Sequence, residues 1–469
     1  MNNTSSTDKQ LNILSEFRQA LYHSAFTARR DALFELLDAL LLKGPMPSFP
    51  MLALSLFCQR QWPSLYQAIE EGQIDLPWLR AFLAQHVPAQ GVCCYALDGV
   101  AWPRSQAGTL PDRQYVYHPT PAVNGGNVVA GYAYSLLDWV PFVRRSWALS
   151  IDVARRLSTQ TDVELGVEQV KRLNEARQSY GQVLDIIVAD AKYANHKFFQ
   201  PLQGQRCGVV AAMRCDRVLY RTPTLEEQKP RGRKRKHGRR FAFKEPDSWG
   251  EPDECLHFEH ERWGQVELRR WNGVHERPAA GTPLDVVQAR VHLEKDKPPK
   301  PFWLAWQAPP TIPISVQVTA QTIWQAYLHR WPVEPSIRFR KQHLMWTVPQ
   351  FHIPEAGDRW SVLVSLAMWL LYLARAVVTD QPLPWQKAQV ELTPARVQRG
   401  LGELFARLAH RCGHHERAEN RLDGPKAEFV AVGRVIPWSE RRRRRPNPPS
   451  KGPETRLVRS LHHPGFPRG

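Results

Sequence analysis

Tyr327, Arg330, Glu334 and Lys341 lie in the stretch YLHRWPVEPSIRFRK, at offsets of three, seven and fourteen from the first of them. At ~100° per residue on a helix, each offset returns close to the starting direction. One carboxylate, two cations and a phenol can therefore share a face, which suits them to hold a divalent metal beside a phosphate. Two more carboxylates stand at the ends of predicted strands, Asp98 in CCYALDG and Asp190 in LDIIVADAKY. Two aspartates and a glutamate can together hold two Mg²⁺ ions for phosphodiester chemistry. A single Asp at a strand end is ordinarily a turn residue, so the reading rests on the three together. Pro332 and Pro335 bracket Glu334, and proline inside a helix removes a hydrogen bond and clashes with the preceding turn. The sequence therefore predicts that one helix ends near Trp331 and a second begins near Pro332, with proline in its first turn. Glu334 and Lys341 keep a common face, and Tyr327 and Arg330 approach from across the break.

This pattern resembles the DDE transposases of bacterial insertion sequences. Within them it is similar to the subgroup whose third acid sits in a Tyr-x2-Arg-x3-Glu-x6-Lys signature, matched here at all four positions. The resemblance covers residues from about 90 to 380. It implies an α/β fold: an RNase H-like catalytic core, with a mixed sheet flanked by helices, a β-rich insertion and an all-α N-terminal domain. The catalytic and metal-binding set is Asp98, Asp190 and Glu334. Asp98 is assigned as the ligand shared by two Mg²⁺ ions, with Asp190 completing one site and Glu334 the other; Mn²⁺ can substitute. Arg330 and Lys341 are assigned to the phosphates beside the cut, one through a planar fork and the other as a point charge. Tyr327 is assigned to a phosphate oxygen and the strand backbone. The implied activity is that of a DNA transposase. It would bind terminal inverted repeats, pair two ends as a homodimer, cleave there and join the 3′-OH ends to target DNA. Two other readings stand beside it: a metal-dependent nuclease of the same fold that never joins strands, and an inactive relative that only binds DNA.

Composition agrees with a double-stranded DNA partner. The chain has 469 residues, with 63 Lys and Arg against 45 Asp and Glu, a net charge of +18 and a pI near 9.8. Such a balance points to a polyanion. Seven scattered cysteines without a CxxC pair suit reduced thiols and a cytoplasmic, nucleoid-associated bacterial protein. The N-terminus MNNTSSTDKQ lacks an apolar leader. The most apolar run, VLVSLAMWLLYLA from Val362, is too short to span a bilayer and reads as a buried helix, so no membrane partner is expected.

The elements that must position the acids divide the chain into six parts. Residues 1–88 form a predicted helical domain with a helix-turn-helix candidate for DNA binding. Within it, Ser64 and Gln67 make a capping-box pattern. Residues 89–213 and 313–380 are the two parts of the catalytic core. Between them, 214–312 is a β-rich insertion. It carries a run from Lys229 to Lys244 with nine basic residues and no acid. Arg231, Arg233, Lys234, Arg235 and Lys236 in that run are expected to meet phosphates without reading bases. Residues 381–435 are read as helical, with a helix near Pro394 to His410, and 436–469 as a basic disordered tail holding Arg441 to Arg445. Trp249, Trp263, Trp271 and Trp331 are candidates for stacking a base, with core packing the better expectation for each. Two Cys/His groupings, Cys255 with His257 and His260 and Cys412 with His414 and His415, lack a matching second ligand pair and are read as non-metal.

Overall fold

In a computed structural model, residues 2–42, 48–55, 58–118, 126–143, 146–228, 231–292 and 301–411 are described. The tail from 436, with Arg441 to Arg445, the Cys412 grouping and Lys229 lie outside them. Residues 1–406 make one compact unit.

The chain begins with α1 (Asn2–Ala20), β1 (Phe26–Ala28), α2 (Arg30–Leu42), α3 (Phe49–Leu52), α4 (Trp62–Glu71), β2 (Gln73–Ile74) and α5 (Leu76–Gln85). β1 and β2 pair with each other, so a small ribbon interrupts the helical series. The expected capping box at Ser64 is absent. α4 starts three residues earlier, with Gln61 as N-cap and proline in the first turn, because Pro63 has a φ already suited to that position.

The central sheet follows. β3 (Gly91–Pro103), β4 (Gln114–Tyr117), β5 (Val128–Val140) and β6 (Leu149–Arg155) lead to α6 (Asp162–Ala176), β7 (Val183–Ala189), α7 (His196–Leu202) and β8 (Gly208–Met213). β3 pairs antiparallel with β5, β5 with β6, and β3 and β8 flank β7 in parallel. The core order is thus β6-β5-β3-β7-β8, the RNase H-like arrangement that the resemblance implies. β7 is buried along its whole length. It is apolar apart from Asp185, as suits a parallel strand inside a sheet. The short helix expected near Lys192 starts later, at His196, since Asn195 caps it.

The insertion contributes β9 (Val218–Arg221), β10 (Arg240–Ala242), β11 (Glu254–His260), β12 (Gly264–His275), β13 (Leu284–His292) and β14 (Phe302–Gln307). It continues the core sheet: β14 pairs antiparallel with β8, giving twelve strands in one sheet. Gly208 permits this junction, because a Cβ there would collide with the Trp306 ring. Trp249 and Trp271 are buried. Together with Trp303 they form the aromatic core of the insertion. Trp263 packs at the edge of a core cluster. These three are packing residues.

The C-terminal side supplies α8 (Ala320–Leu328), α9 (Val333–Gln342), α10 (Pro354–Ala374) and α11 (Pro394–Arg411). α10 carries the apolar run and is buried nearly throughout. Among the described residues, no helix is long and apolar enough to cross a membrane. Two buried ion pairs fix the N-terminal helices to the sheet. Arg80 of α5 bonds Asp152 of β6 at 2.8 Å. Arg177, wholly buried, holds Asp185 of β7 at 3.1 Å and donates to the carbonyls of Ala84 in the last turn of α5 and of Val87 and Pro88 beyond it.

Candidate active site

The parallel register of β3 and β7 pairs Leu97 with Ala189. Asp98 and Asp190 are the next residues on these neighbouring strands. Both are half-buried; Asp190 directly follows β7, whereas Asp98, expected at a strand end, lies inside β3, which runs on to Pro103 because it stays paired with β5. Asp98 accepts the Gly99 N–H at 2.8 Å on one oxygen and the Arg330 Nη2 at 2.6 Å on the other. Asp190 accepts the Lys192 N–H at 3.1 Å, which fixes the turn after β7.

The signature residues fall on two helices. α8 ends at Leu328 with His329 as its C-cap, and α9 begins at Val333 with Pro332 as N-cap. The break predicted from the prolines is present, and its first helix stops three residues earlier than expected. Two tight turns join the helices, Trp331 N–H to Leu328 O at 3.2 Å and Glu334 N–H to Trp331 O at 3.2 Å. The insertion sets the start of α8: the Glu254 carboxylate of β11 accepts the Ala320 N–H at 3.0 Å. α9 is seated on the sheet by Val333, which packs on Ala96, Val140 and Ala148. Arg340 anchors it further, donating to Ala148 O at 2.7 Å and pairing with Asp138 of β5 at 3.0 Å. Glu334 thereby sits exposed in the first turn of α9, at the positive end of the helix dipole.

Tyr327 reports the convergence of these groups. Burial raises its phenol pKa most; Arg330 lowers it, and Asp190, Asp98 and Glu334 each raise it. All three carboxylates and the arginine are near enough to act on the charge of one phenol. Its ring packs on Phe302 of β14, with centroids 5.0 Å apart. Among the described residues, neither Asp190 nor Glu334 has an ion-pair partner, and Asp98 has one, Arg330. Three carboxylates of which two lack a cation are hard-oxygen donors of the kind Mg²⁺ takes, although their oxygens do not all lie within 4.8 Å of one another.

Other expected residues are not brought to this point. Lys341 lies in the last turn of α9. Burial alone lowers its ammonium pKa, and no acid compensates, so it does not pair with Glu334. Arg231, Arg233, Lys234, Arg235 and Lys236 are all exposed in the β9–β10 hairpin. That hairpin is the far edge of the sheet, five strands from β7, or roughly 25 Å at about 4.8 Å per strand. Trp331 is 53% exposed beside Arg330. The grouping of Cys255 and His257 acquires a third donor, Glu267 of β12. Arg269 and Arg290 share that carboxylate, which disfavours a cation. His260 points elsewhere, against Trp324. Sequence reasoning did not single out Lys192, a cation two residues after Asp190 in DAKY.

A mixed sheet of this order, with one carboxylate within its first core strand and one directly after its fourth, defines an RNase H-like core. The sequence profile of the DDE superfamily endonucleases matches residues 17–277, more than half of the chain, and the chain belongs to that family. The matched segment contains Asp98 and Asp190 and stops before Glu334. No curated protein matches the chain. Among solved structures it is similar to the piggyBac transposase in its synaptic complex with hairpin DNA, at 14% identity, a TM-score of 0.35 and 83% coverage of this chain. The chain spans 64% of the length of that transposase, and so loose a likeness carries no argument about mechanism.

Proposed function

We propose that the chain is a DNA transposase that binds the terminal inverted repeats of an insertion sequence, cleaves at the element ends and joins the 3′-OH ends to target DNA. The observation that supports this reading is the placement of Asp98 and Asp190 side by side on the neighbouring strands β3 and β7, with Arg330 of the signature bonded to Asp98 at 2.6 Å. Asp98, Asp190 and Glu334 would hold two Mg²⁺ ions, or Mn²⁺ in their place. Bound there, such ions supply an activated water and stabilise the leaving oxygen.

The chain's own groups do the rest. The Gly99 N–H and Arg330 fix the Asp98 carboxylate, and the Lys192 N–H fixes that of Asp190. Arg330 has donors beyond the one it gives Asp98, so its fork can also take a phosphate oxygen. Tyr327, kept protonated by burial and three acids, can donate its O–H to a second oxygen. Lys341 extends the cationic track along α9. The helices of residues 1–88 and the β9–β10 hairpin are proposed to hold DNA away from the acids, the hairpin through sequence-independent phosphate contacts. Two ends would be paired by a homodimer in the bacterial cytoplasm.

The test is end cleavage and strand transfer with Mg²⁺ on DNA carrying the inverted repeats that flank the coding region. Asp98→Asn, Asp190→Asn and Glu334→Gln should each lower cleavage by about 10³-fold or more, some 4 kcal/mol of transition-state stabilisation. Full activity in all three would overturn the assignment. Cleavage without joined products would identify a nuclease that cuts only.

A further inference from the structure

Lys192 stands closer to the acids than its place in the sequence suggests. It follows Asp190 by two residues, and its backbone N–H is the donor that fixes the Asp190 carboxylate. From that turn its side chain reaches across to the neighbouring strand. A Cβ built on Gly99 would lie 2.8 Å from the Lys192 Nζ, with the next nearest atom, Tyr134 O, at 3.8 Å. Gly99 does not have a positive φ, so backbone conformation does not call for glycine there; a side chain at this position would instead meet the movable end of Lys192. The ammonium also lies 5.0 Å from the centroid of the Tyr193 ring. It thus spans the two strands that carry Asp98 and Asp190.

The bonding of this ammonium is incomplete. Its acidic neighbour is Asp162 at 3.9 Å, beyond hydrogen-bond distance. Asp162 is already engaged by Arg156 at 3.0 Å. Among the described residues, the Lys192 Nζ has no hydrogen-bond acceptor, although it carries three donors. A lysine serving to neutralise Asp98 or Asp190 would bond to them, and this one does not. It is a point charge, 36% exposed, held in place with its donors unspent.

We propose that Lys192 is a phosphate-binding residue of this active site, gripping a backbone phosphate of DNA beside Asp98 of β3 and the end of β7, and that Gly99 leaves its ammonium room there. This rests on the acids being the catalytic centre. Binding of a mixed-sequence duplex is measured against salt in Ca²⁺, without cleavage, with thermal melting to confirm the fold. Lys192→Met should weaken binding and make the log–log salt slope shallower by about 1, and Lys192→Arg should restore it. Gly99→Ala, which pushes the ammonium aside, should weaken binding alone and add nothing in the Lys192→Met background. An unchanged affinity and slope in Lys192→Met, or additive effects of the two substitutions, overturns the proposal. Asp98→Asn separates the two levels. If it cleaves normally, the catalytic reading falls with this one. If it is inactive while Lys192→Met binds as the wild type does, only the Lys192 assignment falls.

Discussion

Arg330 and Arg340 stand ten residues apart, one before α9 and one near its end, and each holds an aspartate of the central sheet. Arg340 and Asp138 are both 0% exposed. The arginine also bonds the Ala148 carbonyl, and the aspartate accepts the Ser150 hydroxyl at 2.5 Å. Arg330 and Asp98 are 15% and 17% exposed, and Arg330 makes a single side-chain bond. The same ion pair therefore does different work at the two ends of one helix. A cation that belongs to the scaffold is enclosed and shared among several acceptors. A cation that belongs to the site keeps donors free and opens to solvent, because a substrate must reach it.

That contrast predicts opposite outcomes for the same substitution. Arg340→Ala should cost about 3–5 kcal/mol of stability, since it leaves Asp138 buried and unpaired. Denaturant unfolding would show this as a lowered midpoint at constant slope. Replacing both partners by apolar residues, Arg340→Met with Asp138→Leu, should recover much of it, because the desolvation penalty of both charges goes too. An Arg340→Ala protein as stable as the wild type would break the comparison. Arg330→Ala should behave in the reverse manner. Stability should change by about 1 kcal/mol or less, as for other solvent-reached pairs. Cleavage should fall by about 10²-fold, or ~2.7 kcal/mol. A large loss of stability there would mark Arg330 as scaffold as well.

The same contrast explains what could be read from the chain. The neighbouring positions of Asp98 and Asp190 were legible because each follows an apolar run in what read as a strand, although β3 continues past Asp98 to Pro103. The helix break was legible because Pro332 and Pro335 act locally on the backbone. The strands β4, β9, β10 and β14 were not. The first three are short, and what places β14 is its pairing with β8, ninety residues or so away in sequence, which no local period encodes. The aromatic-rich FWLAWQ of β14 could have joined any edge. Ser64 misled because a capping pattern is also met inside helices, and Pro63 set the start. Lys192 was invisible for a different reason: a long side chain crossing to the next strand leaves its trace on the partner, at Gly99, and not on itself.

Lys341 gives the smallest effect and the sharpest form of the comparison. It lies on the same helix as Arg340, half-buried, and burial lowers its ammonium pKa below the ordinary 10.5 with no acid to offset it. A scaffold cation in that position would have acquired a partner. Its charged form is therefore a cost to the fold, and Lys341→Met should raise stability by about 1 kcal/mol while weakening DNA binding and making its salt slope shallower. The pH dependence has a definite sign. With the folded-state pKa below the unfolded one, the folded chain binds fewer protons between the two values, so the wild type gains stability as pH rises through that interval. The advantage of the Met variant should be full at neutral pH and shrink as pH approaches 10.5. Paired melts of the two proteins across the alkaline range measure this. A difference that stays constant with pH would mean that shape, and not charge, separates them, and a variant that binds DNA unchanged would remove Lys341 from the phosphate track.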